Sequence, residues 1–369
     1  MHIGVPRERR ADEYRVGLTP AGVQLLTAAG HVCSVEHDAG RGAGFIDLDY
    51  ERAGGRIVYS AEEAYGRADM VFKVEPLTPE EAGLVREDSV LLGFLHLAAG
   101  LPSIVRTLLE RRVTAIAYES VQDDDGTLPV LVPLSQVAGK MAPQVAAALL
   151  RNDRGGNGIL LGGVPGVPPA EVVIIGAGTL GAASARAFLD VGASVYLLDQ
   201  SLTRLQHLDQ LFGAGRRPVM MVSHDFNVRK VVTFADVVVG AVLVPGARAP
   251  IVVTREMVQT MKPRSVILDI SIDQGGSVET SRPTTHRAST FVEENITHYC
   301  VPNMTSVVAR TATHAFNNAA WPFMWALAHE GLETALASHP PLRRGVATRN
   351  GHIVHPALAT HFGVGEVAL

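Results

Sequence analysis

Short apolar runs alternate with amphipathic stretches along most of the chain. HIGVP near the start predicts a strand, and Thr19-Pro20 sets an N-cap before a proline at the first helical position, with Gly30 closing the helix after VQLLTAA. HVCSVEH predicts a second strand. The pattern then repeats. Ser60 with Glu63 makes a capping pattern, MVFKV (70–74) reads as a strand, Thr78-Pro79 with Glu81 starts another helix, and SVLLGFLH and VTAIAYE follow as strands. Strand and helix in alternation predict a mostly parallel, doubly wound sheet.

A long helix over LSQVAGKMAPQVAAALL (134–150) and a glycine- and proline-rich stretch separate this half from a second βαβ series. That series contains AEVVIIGAG, a helix, ASVYLLD, DVVVGAVLV and SVILDISID. After about residue 301 the strand pattern stops, and TATHAFNNAAWPFMWALAHEGLETALA predicts helix that packs back on the first half. The expectation is an α/β protein with two domains, 1–136 together with 301–369, and 137–300.

Within the second series, VVIIGAGTLGAASARAFLDVGASVYLLD (172–199) carries the most specific chemistry. Gly176 suits a tight turn after a buried strand, Gly178 a close backbone approach to a pyrophosphate, and Gly181 close packing of helix on strand. The helix N-terminus then faces an anion. Asp199 ends the next strand, 23 residues after Gly176, where a carboxylate can accept from the ribose hydroxyls of an adenosine. That favours NAD over NADP, with Arg204 close downstream as the counterweight.

Composition bounds the rest. At 369 residues and 47% hydrophobic the chain can build two cores. There is no apolar run long enough to span a membrane and no apolar signal region in MHIGVPRERR, which predicts a cytoplasmic protein. Two cysteines, Cys33 and Cys300, are too few for a disulfide framework or a zinc site, and no metal is expected. A formal charge of −5 with dispersed Lys and Arg makes nucleic acid an unfavoured partner. Four polar residues stand out: His96 at the end of an apolar run, Asp269 in the strand SVILDISID, Arg15 after an acidic-basic loop and Lys73 within the strand MVFKV. Taken singly, His96 suits a core histidine as well as a base, Asp269 a cap, Arg15 a solvated loop charge, and Lys73 an outward-facing edge lysine.

Family resemblance adds to this reading. GVPRE, EYRVGLTPAGV, AGRGAGF, FLHLAA, AIAYESVQ, PLSQVAGKMA, GILLGGVPGV, GAVLVPGARAP and LDISIDQGG resemble, in order and spacing, the NAD-dependent alanine dehydrogenases, relatives of the N-terminal part of the proton-translocating transhydrogenase. The resemblance implies a split Rossmann-like substrate domain, a central NAD domain, a cleft between them and a homo-oligomer, usually a hexamer. It implies that Arg15 binds the substrate carboxylate, that His96 is the catalytic histidine, and that Asp269 works at the nicotinamide side. Ser135, Thr179, Leu180, Arg204, Val239, Leu243, Asn303 and Met304 match cofactor contacts or their neighbours, Asn303 also facing substrate. The implied activity is NAD-dependent oxidative deamination of alanine to pyruvate and ammonia, and its reverse.

Three departures stand against the family pattern. The family strand reads K-V-K-E-P and its second lysine helps hold the substrate carboxylate, whereas this chain has KVEP (73–76), leaving Lys73 as the counterpart of the first and a substrate-binding candidate only if the strand end or the following loop shifts. The family's two prolines are missing from NMTSVVARTAT (303–313), and Pro302 precedes it. Ser271 stands where alanine is common. These departures keep open a related enzyme acting on another amino acid, imine or 2-oxo acid, and a catalytically silent NAD-binding protein.

Overall fold

The computed structural model describes residues 1–213, 215 and 217–364. Its strands are β1 His2–Val5, β2 Val32–Glu36, β3 Arg56–Val58, β4 Met70–Phe72, β5 Val90–Gly93, β6 Thr114–Ala117, β7 Glu171–Ile175, β8 Ser194–Asp199, β9 Val219–Val222, β10 Val237–Gly240, β11 Val266–Asp269, β12 Thr290–Glu293, β13 Ile296–Tyr299, β14 Val346–Arg349 and β15 His352–Ile353. The chain divides into two compact units. One comprises Met1–Leu134, Pro245–Ala247 and the chain from Thr305 onward; the other comprises Ser135–Val244 and Arg248–Met304. The first division falls inside the helix Val132–Leu149.

The first unit is built on a sheet of order β15-β14-β6-β5-β4-β1-β2-β3, parallel from β6 to β3. The chain winds from β1 through β2 to β3 on one side and then crosses to β4, β5 and β6 on the other, so the loops after β1 and β4 meet at a topological switch point. Strand residues such as Ile3, Val5, Met70, Phe72 and Leu92 share a core with Ala312, Phe316 and Met324 of the helix Ala309–Glu330. The helical tail is therefore part of this unit's core, because its apolar stripe needs a covered surface. The tail is not all helix. β14 pairs antiparallel with β6, and β15 with β14, which overturns the expectation that strands end near residue 301. Asn350 and Gly351, both at positive φ, make the tight turn between them.

The second unit has the order β12-β13-β11-β10-β7-β8-β9, parallel except for β12 against β13. Here β7 is the switch strand, with β8 on one side and β10 on the other. Val172, Ile174, Val237, Val239, Val266 and Leu268 are buried on one face of this sheet, and Val173, Ile175, Val238 and Ile267 on the other. Burial on both faces explains why these strands are continuously apolar. No described helix is long and apolar enough to cross a membrane.

Candidate functional site

In the second unit, β7 runs into the turn Gly176-Ala177-Gly178 and then the helix Thr179–Asp190. Gly176 has φ 103°, and a Cβ at Gly181 would lie 1.8 Å from the Gly176 carbonyl oxygen, so strand end and helix start meet at a distance that only glycine permits. Gly178 is the helix N-cap, and no heavy atom lies within 4 Å of the place its Cβ would take. The helix therefore begins with exposed backbone donors and open space before them, which fits a dinucleotide pyrophosphate. Asp199 ends β8. Its carboxylate accepts from Ala177 N and Ser201 N, each at 2.8 Å, and from Arg204 Nη1 at 3.0 Å. The acid thus braces the glycine turn while Arg204 covers part of its charge. Leu180 is half-buried beside the turn and Val239 is buried in β10, whereas Leu243 is exposed.

Asp269, at the end of β11, is buried and heavily engaged. Its carboxylate accepts from Ser277 N at 2.9 Å, Val278 N at 3.0 Å, Ser277 Oγ at 3.1 Å and Ser271 N at 3.2 Å. Burial pushes its pKa up, and hydrogen bonding from Ser281, Val278 and Ser277 opposes that rise. The residue caps the short 3-10 turn Ile270–Gln274 and pins the following loop. Ser271, the departure from the family pattern, has a local role: its Oγ accepts from Val242 N at 2.8 Å and ties the loop after β10 to the turn after β11. Ser135 is half-buried in the helix Val132–Leu149, Met304 is buried, and the Asn303 carbonyl is bonded to His286 Nε2 at 3.0 Å.

In the first unit, Arg15 and Lys73 come together at the switch point between β1 and β4. Gly17 allows this: a Cβ there would lie 2.1 Å from the Phe72 carbonyl oxygen, so the loop after β1 rests directly on the end of β4. Arg15 is buried. It binds the Glu13 carboxylate through Nε at 2.8 Å and Nη2 at 2.7 Å, Glu75 through Nη2, and Thr305 Oγ1 through Nη1 at 3.0 Å. Although burial favours the neutral guanidine, Glu13 and Glu75 outweigh it and raise the pKa further.

Lys73 is not on an outward edge. β4 ends at Phe72, and the Lys73 side chain is wholly buried, with Nζ on Glu8 and 3.2 Å from Glu81 Oε1. Tyr65 Oη donates to the same Glu81 oxygen at 2.9 Å. Burial lowers the lysine pKa, but the two carboxylates more than reverse that and keep the ammonium charged. Glu8 accepts from Lys73, from Val74 N at 2.7 Å and from Glu75 N at 3.3 Å, so it fixes the KVEP backbone; burial pushes its pKa up to about 7.

His96 lies just beyond β5 with φ 43°, a left-handed conformation that is costly for a residue with a Cβ. Glu119, beyond β6, holds this turn: its carboxylate accepts from His96 N at 2.6 Å and Leu95 N at 3.1 Å, and Oε1 lies 3.8 Å from His96 Nδ1. An imidazole carried on a braced turn beside a carboxylate can accept and return a proton. Glu119 and the acids around Arg15 and Lys73 are the residues that pattern reading missed. A usable signal existed for Glu119, a charge directly after the apolar run TAIAY. Thr305 had one too, a hydroxyl residue just inside the stretch that lacks the expected prolines.

Comparison with known proteins adds to this geometry. Residues 4–138 match the family model described as alanine dehydrogenase/PNT, N-terminal domain, and residues 142–356 match the corresponding C-terminal domain. The chain is 43% identical to the alanine dehydrogenase of Methanococcus maripaludis, over 97% of this chain and 96% of that one. It is 44% identical to that of Halomonas elongata, over 100% and 98%. A solved L-alanine dehydrogenase superposes with a TM-score of 0.88 at 42% identity, covering 98% of this chain and 99% of the other. A transhydrogenase structure from Sinorhizobium meliloti, at 23% identity and a TM-score of 0.76, shares the fold.

Proposed function

The chain belongs to the alanine dehydrogenase/PNT family, and from that premise we propose that it is an NAD-dependent alanine dehydrogenase, interconverting L-alanine with pyruvate and ammonia. The observation that carries the reading is the residue set of the first unit: a buried, charged Arg15 at the switch point and, beyond strand β5, a His96 whose backbone turn is braced by Glu119. We take this unit as the substrate domain and the second as the dinucleotide domain.

Gly176, Gly178, Thr179, Leu180, Gly181, Asp199, Arg204, Val239 and Leu243 would hold the cofactor, with Ser135 and Met304 contributing from the unit's margins. NAD, when bound, supplies the hydride acceptor in deamination. Asp199 supports NAD over NADP, since a 2′-phosphate would meet a carboxylate already anchored in the turn.

Arg15 binds the substrate carboxylate, which fixes the Cα–H direction. Lys73 places a second positive charge nearby, with Glu8 and Glu81 engaging two of its three donors. His96 takes a proton from the water that adds to the substrate imine and returns one when ammonia leaves. Asp269, with its oxygens committed to Ser277 and Val278, shapes the nicotinamide side, and Asn303 borders the substrate. The protein works in the cytoplasm as a homo-oligomer, a hexamer by family resemblance.

The test is NADH oxidation with ammonia across a panel of 2-oxo acids, beside the same assay with NADPH. Pyruvate is expected to be the preferred acceptor and NADH the preferred donor. Preference for a larger 2-oxo acid would move the reading to a related amino-acid dehydrogenase. No turnover with any acid would leave a dinucleotide-binding protein without this activity.

A further inference from the structure

The Arg15 guanidinium has five N–H donors. Two engage Glu13 side-on through Nε and Nη2, one of Nη2 engages Glu75, and one of Nη1 engages Thr305. The end-on fork, which takes one hydrogen from each terminal nitrogen, is the remaining edge for a second carboxylate. Glu75 holds the Nη2 half of that supply. The other Glu75 oxygen, Oε2, already lies 3.8 Å from Nη1 of Arg10, a half-exposed arginine. The Glu75 main chain is fixed, because its N–H is bonded to Glu8 and Pro76 follows it. Its side chain is the part with most freedom to turn.

Charge points the same way. Around Arg15 and Lys73 stand four carboxylates, Glu8, Glu13, Glu75 and Glu81, all within hydrogen-bond or ion-pair reach of one or other cation. Bringing a further carboxylate into such a buried, acid-rich group is unfavourable unless one already present gives way.

We propose that Glu75 is an internal occupant of the carboxylate clamp: it sits on Arg15 in place of the substrate carboxylate, and on substrate binding it turns from Arg15 to Arg10. This rests on the reading of Arg15 as the clamp. Glu75 thereby sets the affinity for 2-oxo acid, and Arg10 provides the seat that makes the exchange favourable. The arrangement selects for ligands whose own carboxylate competes effectively for a guanidinium.

Steady-state kinetics with pyruvate, ammonia and NADH test the proposal on the full protein. Glu75→Gln removes the competing charge and is expected to lower the KM for pyruvate by about tenfold, equivalent to about 1.4 kcal/mol, with the KM for NADH unchanged. Arg10→Ala, at a half-exposed position, is expected to raise the pyruvate KM and leave the melting temperature near that of the parent. A residue that only orients Arg15 predicts the opposite for Glu75→Gln, a raised KM, and no effect of Arg10→Ala; that pair of results overturns the proposal. Should Glu75→Gln fail to fold, an unaltered pyruvate KM in Arg10→Ala is sufficient to overturn it. Arg15→Lys separates the two levels. If it leaves the pyruvate KM and kcat intact, the clamp itself is wrong and the proposal falls with it; if it cripples the enzyme while Glu75→Gln raises KM, only the exchange is wrong.

Discussion

At the scale of single residues, the first unit depends on acids that hold other groups in place. Glu119 is the clearest case: one buried carboxylate binds two successive backbone N–H groups and stands beside the His96 ring. In Glu119→Gln an amide nitrogen must face one of those N–H donors, so one bond is lost and the left-handed turn at His96 loses support. We expect kcat to fall by about 10–100-fold with the KM for NADH unchanged, measured by NADH oxidation; a kcat within about twofold of the parent would show that Glu119 does not position the histidine. His96 itself was legible only as a polar residue ending an apolar run. What makes it a candidate base, its partner 23 residues away in sequence (96 to 119), depends on the parallel pairing of β5 with β6, which no local pattern encodes. The same holds for Lys73. Local alternation allowed an outward-facing side chain, while the fold encloses it between Glu8 and Glu81, residues from two other segments.

At the scale of elements, the glycine turn after β7 was readable because its requirements are local. A strand, two glycines, a third at the helix start and an acid at the end of the next strand all lie within 172–199, and the structure places each where the pattern required. Gly181→Ala tests this packing. Its new Cβ would lie 1.8 Å from the Gly176 carbonyl oxygen, so strand and helix must separate. The expected result is a loss of stability of about 1–3 kcal/mol and at least about tenfold weaker NADH binding, read by thermal melting and calorimetric titration. Unchanged NADH affinity would remove the turn from the cofactor site. The tail was harder to read. β14 and β15 are four and two residues long and occupy the sheet edge beside β6, and VATR and HI carry too short an alternation to mark strands on their own. The pairing of β14 is set by contact with β6, more than two hundred residues earlier, and Thr348 adds to it by donating its hydroxyl to the Val113 carbonyl at 2.9 Å.

At the scale of the whole molecule, the buried acid group ties stability to pH. Glu8 has an ordinary pKa of 4.5 when exposed, and burial pushes it up to about 7 in the folded protein, with Lys73 opposing the rise. Between these values the folded state binds more protons than the unfolded state, so the stability linked to this group is greatest below 4.5 and declines as pH rises through 7. Surface carboxylates with depressed pKa values, such as Asp69, which accepts from His2 N and from Arg86, act in the opposite sense at lower pH, so the informative quantity is the difference between parent and variant. Glu8→Gln removes the titration and leaves Lys73 paired with Glu81. Chemical denaturation from pH 5 to 8 should show the parent losing on the order of 2 kcal/mol relative to Glu8→Gln across that range. Parallel curves for the two proteins would mean that Lys73 holds Glu8 ionised throughout, and that the acids around Arg15 and Lys73 carry their full negative charge at neutral pH.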